Sequence, residues 1–147
     1  MKNILILFLF LVTTGCSTSP NYIISEEPTD FSTLNQLNME LIVLEETLSN
    51  ELIKYRLLNL DDSEIMVAGH TNAARIFRYV NNEWSRIWGS ETVDILDFGS
   101  EIPPNGYDIF QLNFTDIFGE NGLPRGSYKI AHPGGVNSWV WAEFQID

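Results

Sequence analysis

Two hydrophobic periods compete in the stretch between Thr33 and Leu58. Leu34, Leu37, Leu41, Leu44, Leu48 and Leu52 recur at intervals of three and four, the spacing of one helix face. Thr33 followed by Gln36 has the form of a capping box. The same stretch also alternates: Met39/Leu41/Val43 and Ile53/Tyr55/Leu57 each place every second residue on one side, with the polar run ETLSNE between them. Ile42, Val43, Ile53 and Leu57 fall off the helical stripe, which favours two strands over one helix.

Beyond Leu58 the period of two prevails. RIFRYVNNEWSRI (75–87) is a pair of β-rich runs around Asn81-Asn82-Glu83, a hairpin signal. TVDILDF (92–98) predicts a strand, and IPPNG (102–106) a turn, because proline lacks the ladder donor that a central strand requires. YDIFQLNF (107–114) alternates with Phe110, Leu112 and Phe114 on one side. After the loop GENGLPRG (119–126), SYKIA (127–131), HPGG (132–135) and SWVWAEFQI (138–146) read as strand, turn and strand. About seven short strands separated by Gly, Pro and Asn turns predict an all-β antiparallel sandwich.

The N-terminus follows a different rule. Lys2 precedes an unbroken apolar run, Ile4 to Val12, too short to span a bilayer, which takes about 20 apolar residues. Charged start, short apolar centre and small-residue exit are the layout of a secretory signal. Thr13-Thr14-Gly15-Cys16 resembles the lipobox of bacterial lipoproteins, with Thr13 where leucine is usual. That resemblance implies a diacylglycerol on the Cys16 thiol and removal of residues 1–15. Residues 16–32, polar and with two prolines, then read as a lipidated tether, and residues 33–147 as the folded domain.

Within that domain a second likeness emerges. LLNLDDSEI (57–65), IFRYVNNEWSRI (76–87), IPPNG (102–106), FGENGLPRGSYKIA (118–131) and WAEFQI (141–146) resemble a bacterial immunoglobulin-like domain of small envelope lipoproteins. Its most specific part is the spacing Leu123, Gly126, Tyr128, Ile130. A tyrosine at the start of the penultimate strand can return its hydroxyl to a backbone group a few residues upstream and lock the corner between sheets. Gly126 is expected to allow close backbone approach. The likeness implies an immunoglobulin-like sandwich outside the cytoplasm, attached to the membrane by lipid, and supplies no catalytic residues.

Charge narrows the partners. Lys+Arg number 8 against Asp+Glu 20, a formal −12. Nucleic acid is repelled by such a field, since binding it requires clustered cations over phosphates. Candidate chemistry is sparse. His70 and His132 both sit in turn-like surroundings, without a nucleophile elbow or a zinc-ligand spacing. Asn59, Asp61, Asp62 and Glu64 lack the spacing and glycine of a calcium loop, and Asp94, Asp97 and Glu101 have no positioned partner. No metal, cofactor or catalytic residue is expected.

Aromatic residues suggest more. If Val140, Ala142, Phe144 and Ile146 face inward, strict alternation turns Trp139 and Trp141 outward, with Lys129 beside them on the neighbouring strand. Arg75, Arg78 and Arg86 belong to the hairpin expected in the same sheet. Exposed Trp beside cations is the composition of a binding face, so replacing both Trp by Ser or Thr is expected to spare folding and abolish partner capture. The reading that results is a lipid-anchored, non-catalytic binding or accessory domain on the extracytoplasmic face of a bacterial membrane, with an unknown protein or envelope ligand. A proteinase inhibitor presenting a loop is the alternative, and a hydrolase a more distant one.

Overall fold

A computed structural model of the chain describes residues 22–23, 38–69, 73–89, 93–94, 98–135 and 138–147. Among these residues the strands are β1 (Tyr22–Ile23), β2 (Met39–Val43), β3 (Leu52–Asn59), β4 (Ile65–Ala68), β5 (Arg75–Val80) and β6 (Glu83–Trp88). They continue with β7 (Val93–Asp94), β8 (Phe98–Ile102), β9 (Tyr107–Asn113), β10 (Gly126–Gly135) and β11 (Ser138–Ile146). The only other elements there are a 3₁₀ turn, Glu45–Thr47, and one short helix, α1 (Phe114–Phe118).

Alternation therefore wins over the leucine stripe. Met39 and Leu41 on β2 and Ile53, Tyr55 and Leu57 on β3 are buried, while Glu40 is exposed. The register Leu41↔Leu57 and Val43↔Tyr55 sets the two inward rows side by side. The helical period fails because it would leave Met39, Ile53, Tyr55 and Leu57 off the buried stripe.

Two antiparallel sheets face one another. One has the order β2-β3-β9 and the other β11-β10-β5-β6, with a further ribbon of β4 and β8. Three strands opposed to four, with the chain crossing between sheets rather than closing each in turn, is an immunoglobulin-like all-β sandwich. The space between the sheets holds Met39, Leu41, Ile53, Tyr55, Leu57, Phe110 and Leu112 from the first and Ile76, Tyr128, Ile130, Val140, Phe144 and Ile146 from the second.

Turn chemistry explains the connections. Asn81 and Asn82 have φ of 55° and 67°, and Val80 pairs with Glu83. Two positive φ values define the tight hairpin turn that matches strand twist, and Asn tolerates them better than most residues. In the Pro103–Gly106 turn, Asn105 takes φ 56° and Gly106 N–H donates to the Pro103 carbonyl at 2.9 Å. The buried Asn59 amide reaches the Ile102, Pro103 and Ser63 carbonyls at 2.8 to 3.2 Å, which ties the end of β3 to this turn.

Two expected boundaries move. HPGG is part of β10 rather than a turn. Its pairing with β5 ends at Ala131↔Arg75, and its register with β11 shifts between Pro133 and Gly135, so the missing proline donor falls where the ladder is already irregular. Of the expected strand 92–98, Val93–Asp94 pair with Tyr22–Ile23, which draws part of the expected tether against the domain.

The corner residues occupy their expected positions, with one change of reason. Tyr128 Oη donates to the Pro124 carbonyl at 2.5 Å, and Leu123 is buried in the main core. Gly126 has φ 153°, and a Cβ there would meet only ordinary contacts at 3.5 to 3.6 Å. Conformation rather than crowding selects glycine. Because Pro124 is exposed, water can replace the lost donor in Tyr128→Phe. That variant should lose about 1 kcal/mol in urea unfolding, the net worth of an ordinary hydrogen bond, and not the larger cost of a buried orphan.

Candidate functional site

The second face of the four-stranded sheet is built by register. Lys129 lies opposite Glu143 on β11 and Phe77 on β5, and Phe77 lies opposite Arg86 on β6. Ala131 lies between Trp141 and Arg75. Directly opposed residues of an antiparallel pair share a face, so Arg75, Arg86, Lys129, Trp139 and Trp141 are brought together, as expected. A register shift between Ile76 and Phe77 leaves Ile87 as the additional residue of β6. It turns Trp88 onto the main core and keeps Trp84 and Arg86 on the second face.

Arg78 does not belong to this face. It pairs with Tyr128, which points into the main core. Its guanidinium sits 5.8 Å from the Tyr128 ring centroid and donates from Nη2 to the Arg125 carbonyl at 3.1 Å. It braces the tyrosine corner. The signal was present in the sequence: positions 75 and 78 differ by an odd number and cannot share a face of a regular strand.

The exposure expected of this cluster is overturned. Trp139 is 1% exposed, Arg75 0% and Lys129 6%. Ala68, Ala73, Phe77 and Ala131 pack with Trp139 as a second hydrophobic cluster, against which Trp84 and Trp141 are partly buried. Alternation does turn Trp139 away from the sandwich interior, but a sheet face turned away from one core can be covered by another, and Ala68 and Ala73 supply part of that cover. The cations are held by ring faces. Arg75 Cζ stands 4.1 Å from the Trp139 centroid, and Lys129 Nζ stands 4.3 Å from both the Trp84 and Trp141 centroids. Lys129 also meets Glu143 at 3.3 Å. A desolvated cation over an indole gains about 2 kcal/mol or more, which offsets part of the cost of removing it from water.

Cutting Trp139 to alanine should therefore cost about 3–5 kcal/mol by chemical denaturation, as for other large buried aromatics, and expose the Arg75 charge as well. Wild-type stability of that variant would mean the second cluster contributes nothing.

His132, expected in a turn, sits in quite different surroundings. It is fully buried, on β10 between the sheets. Nε2 lies 2.9 Å from the Ala68 carbonyl, and Nδ1 lies 2.9 Å from Tyr55 Oη. A carbonyl only accepts, so Nε2 carries the proton and Nδ1 accepts from the tyrosine. Phe110 and Tyr55 rings pack against the imidazole at 4.6 and 5.7 Å. Both nitrogens are engaged, so this histidine is a core bond and not a free base. Its place in an apparent turn sequence hid it; the alternation Tyr128, Ile130, His132 was the available signal.

Burial pushes the His132 pKa down to about 4, against smaller opposing effects of the Ala68 carbonyl and Asp108, and it pushes the Tyr55 hydroxyl up. The unfolded chain binds a proton near pH 6.5 and the folded chain only near 4. This contribution is complete above pH 6.5 and is lost as pH falls towards 4, at about 1.4 kcal/mol per unit. Urea unfolding from pH 7.5 to 5 should show the decline begin near 6.5, above the carboxylate range; a flat profile would contradict the buried neutral ring.

Among the acidic candidates, Asp61 has local hydrogen-bond partners. Asp61 accepts from Asn38 at 3.3 Å and from the Ser63 amide at 3.3 Å, which holds its carboxyl below the usual range, with the Asn38 bond the largest cause. No group of three or more His, Cys, Asp or Glu that could hold a metal ion occurs among the described residues. Cys16, His70 and Asp97 lie outside the described residues.

No family model and no curated protein matches the chain. Among solved structures, a crystal structure of β-glucosidase from Kluyveromyces marxianus in complex with glucose aligns at 14% identity and TM-score 0.34. The alignment covers 76% of this chain and 14% of that one, and a likeness of this size carries no functional argument.

Proposed function

We propose that the chain is a membrane-anchored lipoprotein whose immunoglobulin-like domain binds or assists another envelope component without catalysing a reaction. The observation that carries this reading is the position of Cys16. It is the only cysteine in the sequence and follows directly on an apolar run with a small-residue exit. Acylation accounts for both facts, and two acyl chains, each burying about 0.8 kcal/mol per CH₂, hold a small domain at a membrane.

The fold supports the reading in two ways. Tyr22–Ile23, the first described residues after Cys16, are paired with β7. A lipid on Cys16 would then stay within about 20 Å of the domain, the reach of six extended residues. His132, the described histidine, spends both ring nitrogens inside the core, which leaves the domain's solvent-facing surfaces to do the binding.

Intact-mass analysis of membrane-purified protein should show a chain that begins at a diacylglyceryl-modified Cys16. In Cys16→Ser the lipid mass and the detergent-phase partitioning should both vanish. A wild-type chain recovered unmodified from the medium, starting elsewhere, would refute the anchor.

A further inference from the structure

Register orders the outer face of the three-stranded sheet into rows. Leu60, whose N–H donates to the Asn38 carbonyl at 2.6 Å, adds a row at one end of the β2–β3 ladder. Next come Glu40, Leu58 and Tyr107, then Ile42, Arg56 and Ile109, then Lys54 and Gln111. The residues of these three rows alternate with the inward Leu41, Leu57 and Phe110, and so lie on the outside. Leu60, Tyr107 and Ile109 are 52%, 56% and 51% exposed, and Ile42 and Leu58 are half-buried.

Charge is laid out along the same rows. Asp61, bonded to Asn38, and Glu40 belong to the first two rows, and Arg56 and Lys54 to the next two. Among the described residues no carboxylate meets Lys54 or Arg56. Arg56 lies over the Tyr107 ring, Cζ to centroid 5.3 Å, and its Nε is buried without a hydrogen-bond partner. The four charges cancel, although the chain as a whole carries a formal −12. An acidic end, an apolar middle and a basic end therefore follow one another on a neutral face of an acidic molecule.

Such a face is complementary to itself. A two-fold axis across the strands, between the Tyr107 row and the Ile109 row, reverses the order of rows in a second copy. Tyr107 and Leu58 then meet Ile109 and Ile42 of the second copy, and each acidic residue meets a basic one. Two-fold contacts are reciprocal, so every acid–base pair occurs twice. A partner of a single sign, such as an anionic bilayer or a basic segment, would meet like charge at one end, which is costly. Three strands about 4.8 Å apart and four rows about 6.8 Å apart give a footprint of roughly 400 Å². That is small beside the ~800 Å² each partner of a standard interface buries, so the association is weak and concentration-dependent.

We propose that the outer face of the β2-β3-β9 sheet is a self-association surface, on which two copies of this chain pair about a two-fold axis with Arg56 against Glu40 and Lys54 against Asp61. This goes beyond the envelope-binding reading and does not depend on lipid at Cys16.

Sedimentation equilibrium of purified full chain in density-matched detergent tests it, with Cys16 native and as Cys16→Ser. Both forms should show a monomer–dimer equilibrium that weakens several-fold from low to high salt. Glu40→Lys and Arg56→Glu should each be monomeric alone, since each sets like charges against one another. Mixed in equal amounts they should dimerise again, because all four pairs are then opposite in sign, and this rescue also shows both variants folded. Tyr107→Ser/Ile109→Thr, which leaves the charges in place, should weaken association at least tenfold while melting within a few degrees of wild type. Wild type that stays monomeric at millimolar concentration would overturn the surface, as would a mixture no stronger than its components. Association unchanged by Tyr107→Ser/Ile109→Thr, or lost in Cys16→Ser, would place the contact elsewhere and overturn it too.

Discussion

The hydrogen bonds of His132 link three parts of this fold. The ring belongs to β10 of the four-stranded sheet, accepts from Tyr55 on β3 of the opposite sheet, and donates to the Ala68 carbonyl at the end of β4. In a sandwich, apolar side chains hold the sheets together without specifying their offset, because dispersion and burial are non-directional. A polar group in the same layer is unforgiving, since leaving either nitrogen or the tyrosine hydroxyl unpaired in the interior costs about 1–3 kcal/mol. The three-part bond therefore favours the one offset that satisfies all its members. Phe110, stacked on Tyr55 at 5.5 Å and tilted against the imidazole, closes the site to water.

That arrangement also explains the second cluster. With Ala68 drawn to β10, Ala68 and Ala73 join Trp139, Phe77 and Ala131 on the far face of the sheet. Where the second face is covered, around Trp139, it has no place for a solvated cation, yet Arg75 and Lys129 are buried there. Indole faces and Glu143 substitute for water around them. Residues with the composition of a recognition surface thus serve as interior packing, and the composition alone does not separate the two roles.

Part of the broad face of the four-stranded sheet, around Trp139, is packed by Ala68 and Ala73. Between the end of β11 and the turn after β2 lies a groove of about 510 Å³, with Glu45, Glu143 and Asp147 among its lining residues.

What the sequence by itself determined was local. Alternation identified β2, β3, β9 and β11, because the side-chain period of a strand is written in consecutive residues. Asn81-Asn82 and Pro103–Gly106 announced their turns through the backbone angles those residues accept, and the spacing Leu123, Gly126, Tyr128, Ile130 announced the corner. The tertiary structure decided everything that depends on what lies beyond a residue's own strand. Alternation says that Trp139 and Trp141 point away from Val140 and Ala142; it cannot say whether solvent or another part of the chain waits there. Nor can it reveal that His132 meets Tyr55, a residue remote in sequence. The physical reason is that period and turn chemistry are properties of neighbours along the chain, whereas burial, tautomer and edge exposure are set by neighbours in space.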